Sequence, residues 1–312
     1  MLTPVEAVPQ DERATAGDAP APRSSALAGH RDAVVSEPLT SWRRVALTLA
    51  AIEFIVLYAP TARWLYERWT LSVWHNAHGL LLVPVVVYFV YKELQALRHL
   101  PRAESVWGFA ILIPALAATA LDAGIHTELV AAFALIVSLP GLSLLLLGPA
   151  RTRAILFPLG ILLFALPIPL GITETIHWQL RQMVVAVTGS VIPLLGFPVF
   201  VEGTTLHMAG GALEVADACS GFSTLYAAVA VAFLTAYTSP TNERRTLVLL
   251  AAAPIAIAAN MLRVILLVLL VVWKGQDILH TSLHPLSGML TFALALPLIF
   301  WLGGDGRTKV RS

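Results

Sequence analysis

Residues 246–273 read TLVLLAAAPIAIAANMLRVILLVLLVVW, an apolar run whose only strongly polar side chains are Asn260 and Arg263. A helix needs about 20 apolar residues to cross the hydrocarbon core of a bilayer. Lipid offers no hydrogen-bond partner to an open backbone, so a run of this length must be helical if it spans. The stretch therefore predicts a membrane-spanning helix and, with others like it, an all-α polytopic membrane protein.

The composition excludes several classes of protein. The chain has 312 residues, of which 57% are hydrophobic and 12% charged, whereas soluble domains carry about 25% charged residues. An ordinary cytosolic enzyme and a disordered chain are both excluded by this balance. The net charge of +1 provides no basic field for nucleic acid, and one cysteine cannot form an internal disulfide.

Seven further apolar runs bring the expected number of transmembrane helices to about eight. Clusters of basic residues lie on one side of these runs, and the excess of Lys and Arg marks the cytoplasmic side. Only a minority of basic residues fall on the other side. The eight predicted spans are 45–61, 79–96, 106–122, 127–147, 154–171, 219–237, 246–273 and 285–303, and the basic clusters are Arg43–Arg44, Lys92–Arg102, Arg151–Arg153, Arg244–Arg245 and Arg307–Arg311.

The segments outside the spans have their own character. Residues 1–44 are polar and lack any apolar run, which predicts a mobile N-terminal tail. Residues 45–303 form the predicted transmembrane domain, and 304–312 a basic cytoplasmic tail. Residues 172–200 predict an interfacial or re-entrant element, because a ninth crossing would place the later basic clusters outside.

A short polar-apolar stretch at 201–217 predicts a small β-hairpin on the outer face. Its two halves flank Gly210-Gly211, a dipeptide that accepts the positive φ of a tight turn. No repeat of solenoid period is visible.

Three ionisable side chains fall at one predicted depth in the bilayer. Cys219 opens the sixth span, His284 opens the eighth, and Arg263 lies inside the seventh on the same helix face as Asn260. At 1.5 Å per residue from the cytoplasmic ends of their spans, they lie about 27, 28 and 26 Å up. All three are therefore expected near the outer boundary of the membrane.

These residue types suit nucleophilic catalysis. A thiolate is a nucleophile, an imidazole can take and return its proton, and a guanidinium can hold an oxyanion. Each also has a plainer interpretation: a packing cysteine, an interfacial histidine, and an arginine that serves structure or transport. His280 competes with His284 for the role of base, whereas His177 and His207 are predicted to lie at the surface. No metal or cofactor site is predicted.

At these positions the sequence resembles the exosortase/archaeosortase family. The motifs are Glu214–Gly221 (EVADACSG), Asn260-x-x-Arg263 and His284-x-x-x-Gly288. Supporting similarities are Leu166–Leu170 (LPIPL), Gly196–Val199 (GFPV) and His78-Gly79, so that the resemblance covers residues 75–303. Family members often have a serine five positions past the cysteine, where this chain has Thr224, with Ser223 before it.

The resemblance implies a membrane cysteine transpeptidase or protease of the bacterial inner membrane with a periplasmic active site. Its substrates would be secreted proteins that carry a C-terminal sorting signal of the PEP-CTERM kind: a short motif, an apolar span and a basic tail. Cys219 would form a thioester that an amine or water resolves, with Arg263 and His284 as its catalytic partners. The supporting positions are Glu214, Asp217, Ser220, Gly221, Asn260 and Gly288.

Two other functions remain open from the sequence. One is a transporter that uses Arg263 to bind an anion, and the other is a non-catalytic factor for assembly of exported polysaccharide. If the chain does bind apolar tails, small residues would let a tail helix approach its spans closely. Such residues are Ala227, Ala228, Ala230 and Ala232 in the sixth span and Ala251–Ala253, Ala256, Ala258 and Ala259 in the seventh.

Overall fold

The structure is a computed structural model of the whole chain. The residues described are 41–70, 76–101, 103–209, 211–216, 219–275, 277 and 283–304. The side chains of residues 43, 170 and 283–285 are left out of the description. Of the tail predicted at 1–44, residues 1–40 lie outside the described residues, and so do residues 305–312.

Helices dominate the described part of the chain, and one small antiparallel sheet interrupts them. This architecture confirms the predicted all-α polytopic fold. In chain order the elements are α1 (Ser41–Thr70), α2 (His78–Ala96), α3 (Gly108–Ile125), α4 (Leu129–Leu147), α5 (Pro149–Ile161), a 3-10 turn (Leu162–Ala165), α6 (Leu170–Leu194), β1 (Val199–Glu202), β2 (Thr205–Met208), β3 (Gly211–Glu214), α7 (Phe222–Thr238), α8 (Asn242–Lys274) and α9 (Leu283–Gly303).

Six helices in the described part of the chain are long and apolar enough to cross a membrane: α1, α2, α3, α4, α8 and α9. Helix α7 is apolar but shorter, with 17 residues. The predicted span at 154–171 differs most, because α5 ends at Ile161 and a 3-10 turn follows. Proline disfavours helical backbone in the residue before it, so Pro167 and Pro169 stop the helix from continuing.

The element predicted at 172–200 is one continuous helix, α6, from Leu170 to Leu194. It contains no chain reversal, so it fits a helix at the interface better than a re-entrant loop. Its buried stripe is Thr173, His177, Leu180 and Val184, spaced as on one helix face. The prediction of His177 as a surface residue was therefore wrong.

The hairpin predicted at 201–217 is present as β2 and β3, in which Met208 pairs with Gly211. A third strand, β1, adds to β2 through pairs from Val199↔Met208 to Glu202↔Thr205. The connection at Gly203 needs a positive φ of 59°, which glycine adopts freely. The sequence did not reveal β1 because the boundary between the two predicted elements, at residues 200 and 201, falls in the middle of this strand.

Helices α7, α8 and α9 pack closely through small side chains. One buried cluster contains side chains from all three helices: Ala228 and Ala232 of α7, Ala252 and Ala256 of α8, and Ile299 of α9. These alanines are buried in contacts between helices of the same chain, as small residues in membrane helices commonly are. The packing brings together the helices on which the sequence placed Cys219, Arg263 and His284.

Candidate active site

Cys219 lies just before α7, in the segment that connects the sheet to this helix. Its side chain is only 3% exposed and belongs to a core formed by α6, α8 and the sheet, with Leu213, Val215, Val264 and Val268 among its members. Its backbone N–H donates to the carbonyl of residue 216 at 2.8 Å. The sulfur is thus held in a dry setting rather than at an open surface.

Asn260 fixes the backbone at the cysteine. Its side-chain Nδ2 donates to the Cys219 carbonyl oxygen at 3.1 Å, from a site that is 2% exposed. Gly221 makes this approach possible, because a Cβ there would lie 2.4 Å from Asn260 Cγ. Gly221 also has a φ of 84°, which non-glycine residues rarely adopt. Both residues therefore support the backbone position of Cys219.

A Gly221→Ala variant is expected to lose stability. The left-handed backbone alone costs a residue with a Cβ roughly 1–2 kcal/mol, and the overlap with Asn260 adds to it. Thermal unfolding of the detergent-solubilised protein measures the effect. Gly160→Ala in α5, where the added Cβ meets nothing within 4 Å, is the matched control. It should keep the wild-type midpoint or raise it slightly, because alanine favours a helix more than glycine does. Equal midpoints for the two variants would contradict the close approach.

Arg263 lies one turn after Asn260 on α8 and is 8% exposed. Its Nε donates to Ser287 Oγ at 2.9 Å, which ties it to the second turn of α9. A Cβ at Gly288 would lie 3.4 Å from Arg263 Cζ, which is an ordinary van der Waals contact. The predicted supporting position Gly288 thus lies against Arg263.

The thiol and the guanidinium interact electrostatically. Burial raises the pKa of the Cys219 thiol, and the positive charge of Arg263 opposes this rise. Charged groups interact strongly in a dry interior, so Arg263 stabilises a thiolate that the surroundings otherwise disfavour. The net direction of the shift in the Cys219 pKa is upward.

Not all the predicted site residues can be placed. His284 belongs to the first turn of α9, but its side chain lies outside the described residues, as do Asp217 and His280. Glu214 ends β3 and is exposed. Among the residues that the structure does describe, no group of three or more His, Cys, Asp or Glu side chains could hold a metal ion.

His177 is the residue near the site that the sequence analysis missed. It is 5% exposed, its Nδ1 is hydrogen-bonded to Ser220 Oγ at 2.7 Å, and its ring lies 4.7 Å from that of Phe222. The Ser220 oxygen also accepts the backbone N–H of Phe222 at 3.3 Å. His177 therefore holds the residue next to the cysteine and the first residue of α7.

Replacing His177 by Phe and Ser220 by Ala should reveal their coupling. Each change removes the same buried hydrogen bond, which contributes roughly 1 kcal/mol. The double variant is therefore expected to lose less stability than the two single losses combined. Unfolding free energies of the three variants in one detergent provide the measurement, and strictly additive losses would contradict the contact.

The motif Leu166–Leu170 lies beside the start of α7. The Tyr226 hydroxyl of α7 donates to the Leu166 carbonyl at 3.0 Å. A cavity of about 240 Å³ opens between this segment and Phe222; its lining is Trp64, Arg68, Asn76, Thr127, Leu129, Pro167, Ile168, Pro169, Thr173 and Phe222. The Leu166–Leu170 motif therefore lines a cavity close to the segment that contains Cys219.

The fold and this site define a multi-pass membrane protein with a buried thiol beside a guanidinium. Residues 69–301 match the family described as transmembrane exosortase. The match covers most of the chain, and the chain belongs to the transmembrane exosortase family, which confirms the resemblance seen in the sequence. Comparisons with curated proteins and with solved structures returned no match.

Proposed function

We propose that this chain is a cysteine transpeptidase or protease that removes C-terminal sorting tails of the PEP-CTERM kind from secreted proteins. The observation that carries the proposal is the pairing of Cys219 with Arg263 in a buried site. A lone cysteine in an apolar chain is usually a packing residue. A buried arginine whose charge acts on that cysteine gives the thiol a means of ionising.

In the proposed reaction, Cys219 Sγ attacks the scissile carbonyl carbon while its proton passes to His284, the base indicated by the sequence. Arg263 donates hydrogen bonds to the resulting oxyanion. Collapse of this intermediate breaks the peptide C–N bond, and the departing amine takes the proton from His284. An amine or water then attacks the thioester and releases the thiol.

The proposed orientation places this reaction on the periplasmic side of the inner membrane. The basic pair Arg244–Arg245 lies at the start of α8, and such residues favour the cytoplasm. Arg263 is about 28 Å further along α8 at 1.5 Å per residue. The site therefore lies near the opposite boundary, where secreted substrates arrive.

The test is a secreted reporter that ends in a Pro-Glu-Pro motif, an apolar span and a basic tail, co-expressed with the full chain. We expect the reporter to lose its tail only when the chain is present. A matched reporter with a scrambled motif should stay intact. Full-length reporter in both cases would overturn the proposed activity and favour the transport or assembly functions instead.

A further inference from the structure

An apolar groove of about 620 Å³ runs between α8 and α9. Ala258 and Leu262 line it from α8, and Leu290 and Leu294 line it from α9. These four side chains are exposed in the structure. The alanines of α7, together with Ala252 and Ala256 of α8, are buried by the chain itself, so this groove, rather than the α7 face, is open to an apolar partner.

The groove is continuous with the candidate active site. Arg263 and Ser287, which are hydrogen-bonded to each other, both line it. The groove continues on both sides of this level: along α8 as far as Leu270 in one direction, and in the other to Pro254 on α8 and Leu298 on α9. The separations from Arg263 to Pro254 and from Ser287 to Leu298 correspond to about 14 and 17 Å of helix, or roughly ten residues of a bound helical segment.

We infer that this groove binds the apolar tail of the substrate as a helix, with the peptide just ahead of the tail held at Arg263; the inference rests on the proposed function. Ala258 and Ala259 leave room for a close helix–helix approach. The charge of Arg263 favours a peptide over the hydrocarbon part of a lipid, and the crosslinking experiment below separates a peptide from a whole lipid. An occupant at that level gains by offering oxygen atoms to the guanidinium, which a peptide backbone has and an acyl chain lacks.

The arrangement also explains how a membrane site would select its cleavage point. A tail helix seated along Ala258 and Leu294 would deliver the residues before it to the level of Arg263 and Cys219. The position of the scissile bond would then be measured from the start of the apolar segment. The motif alone would not determine it.

An Ala258→Trp variant tests the inference, with Ala117→Trp on α3 as its control. Both alanines are exposed on helices that can span the membrane, and residue 117 lies away from the groove. We expect Ala258→Trp to raise the KM for the tailed reporter about tenfold or more, while Ala117→Trp leaves it unchanged. Alkylation of Cys219 by iodoacetamide should proceed alike in both, which shows that each variant keeps its site.

A photo-crosslinking residue at Leu290 provides a second readout that does not depend on the variant's activity. We expect it to capture the apolar tail of the reporter in the Cys219→Ala background. Two results would overturn the groove assignment while leaving the proposed function intact. One is an Ala258→Trp variant that cleaves the reporter with the KM of the wild-type chain, and the other is a Leu290 crosslink to lipid alone. Absence of cleavage by the wild-type chain would instead remove the proposed function.

Discussion

Replacing Cys219 with alanine is expected to lower tail removal by a factor on the order of 10³ or more. The thiol is the proposed nucleophile, and removal of a nucleophile leaves only the rate enhancement from binding and oxyanion stabilisation. The side chain occupies a packed core, so a stability readout must accompany the activity. Cleavage of the tailed reporter by equal amounts of folded protein is the measurement.

Cys219→Ser is the matched control for this prediction. Serine preserves most of the side-chain volume, but its hydroxyl ionises far less readily than a thiol. We therefore expect a folded protein that is still nearly inactive. Substantial cleavage by folded Cys219→Ala protein would contradict the proposed chemistry. If Arg263→Ala abolished flux of an anion in the same preparation, a transporter would be favoured instead.

Arg263→Gln is expected to lower cleavage by roughly 10²–10³-fold, the usual effect of losing one oxyanion donor. It should also slow alkylation of Cys219. The charge of Arg263 lowers the thiol pKa against the effect of burial, so a neutral side chain at this position raises that pKa further. The thiolate fraction at a given pH then falls, and the alkylation profile moves to higher pH. Iodoacetamide labelling across a pH series measures the shift.

Two further variants separate charge from packing. Arg263→Lys retains the charge and should keep the alkylation profile closer to wild type, although it loses the planar donor geometry. Arg151→Gln removes another buried arginine, which donates to the Leu100 carbonyl at 2.7 Å. It should lower stability without moving the alkylation profile. An Arg263→Gln profile identical to wild type would contradict the electrostatic pairing.

The sequence predicted the parts of the fold that follow from long periodic patterns. The apolar run at 246–273 became α8, and the predicted span at 285–303 became α9. Hydropathy identifies such helices because lipid allows few alternatives to them. The common depth of Cys219, Arg263 and His284 was a prediction from counting residues along three spans. The structure gives an electrostatic interaction between the first two, and the side chain of His284 lies outside the described residues.

Other features depend on tertiary contacts, which local sequence patterns reveal only in part. Gly221 was predicted as a supporting position only from motif resemblance, and the structure supplies the physical reason, because a Cβ there would overlap Asn260. The sequence placed His177 at the surface, on one interfacial helix face with Glu174 and Arg181 at i, i+3 and i+7. In the structure His177 is buried on the stripe that packs against the chain, while Glu174 on the edge of that face is exposed. The spacing of Thr173, His177, Leu180 and Val184 was the available signal for its burial.

The most direct test of the central claim is mass spectrometry of the wild-type chain quenched in acid during cleavage of the tailed reporter. The proposed reaction predicts that the peptide containing Cys219 gains the mass of the reporter fragment upstream of the cut, and that hydroxylamine releases this fragment as expected for a thioester. Cleavage that proceeds while Cys219 remains unmodified, or a fragment attached to a different residue, would contradict it.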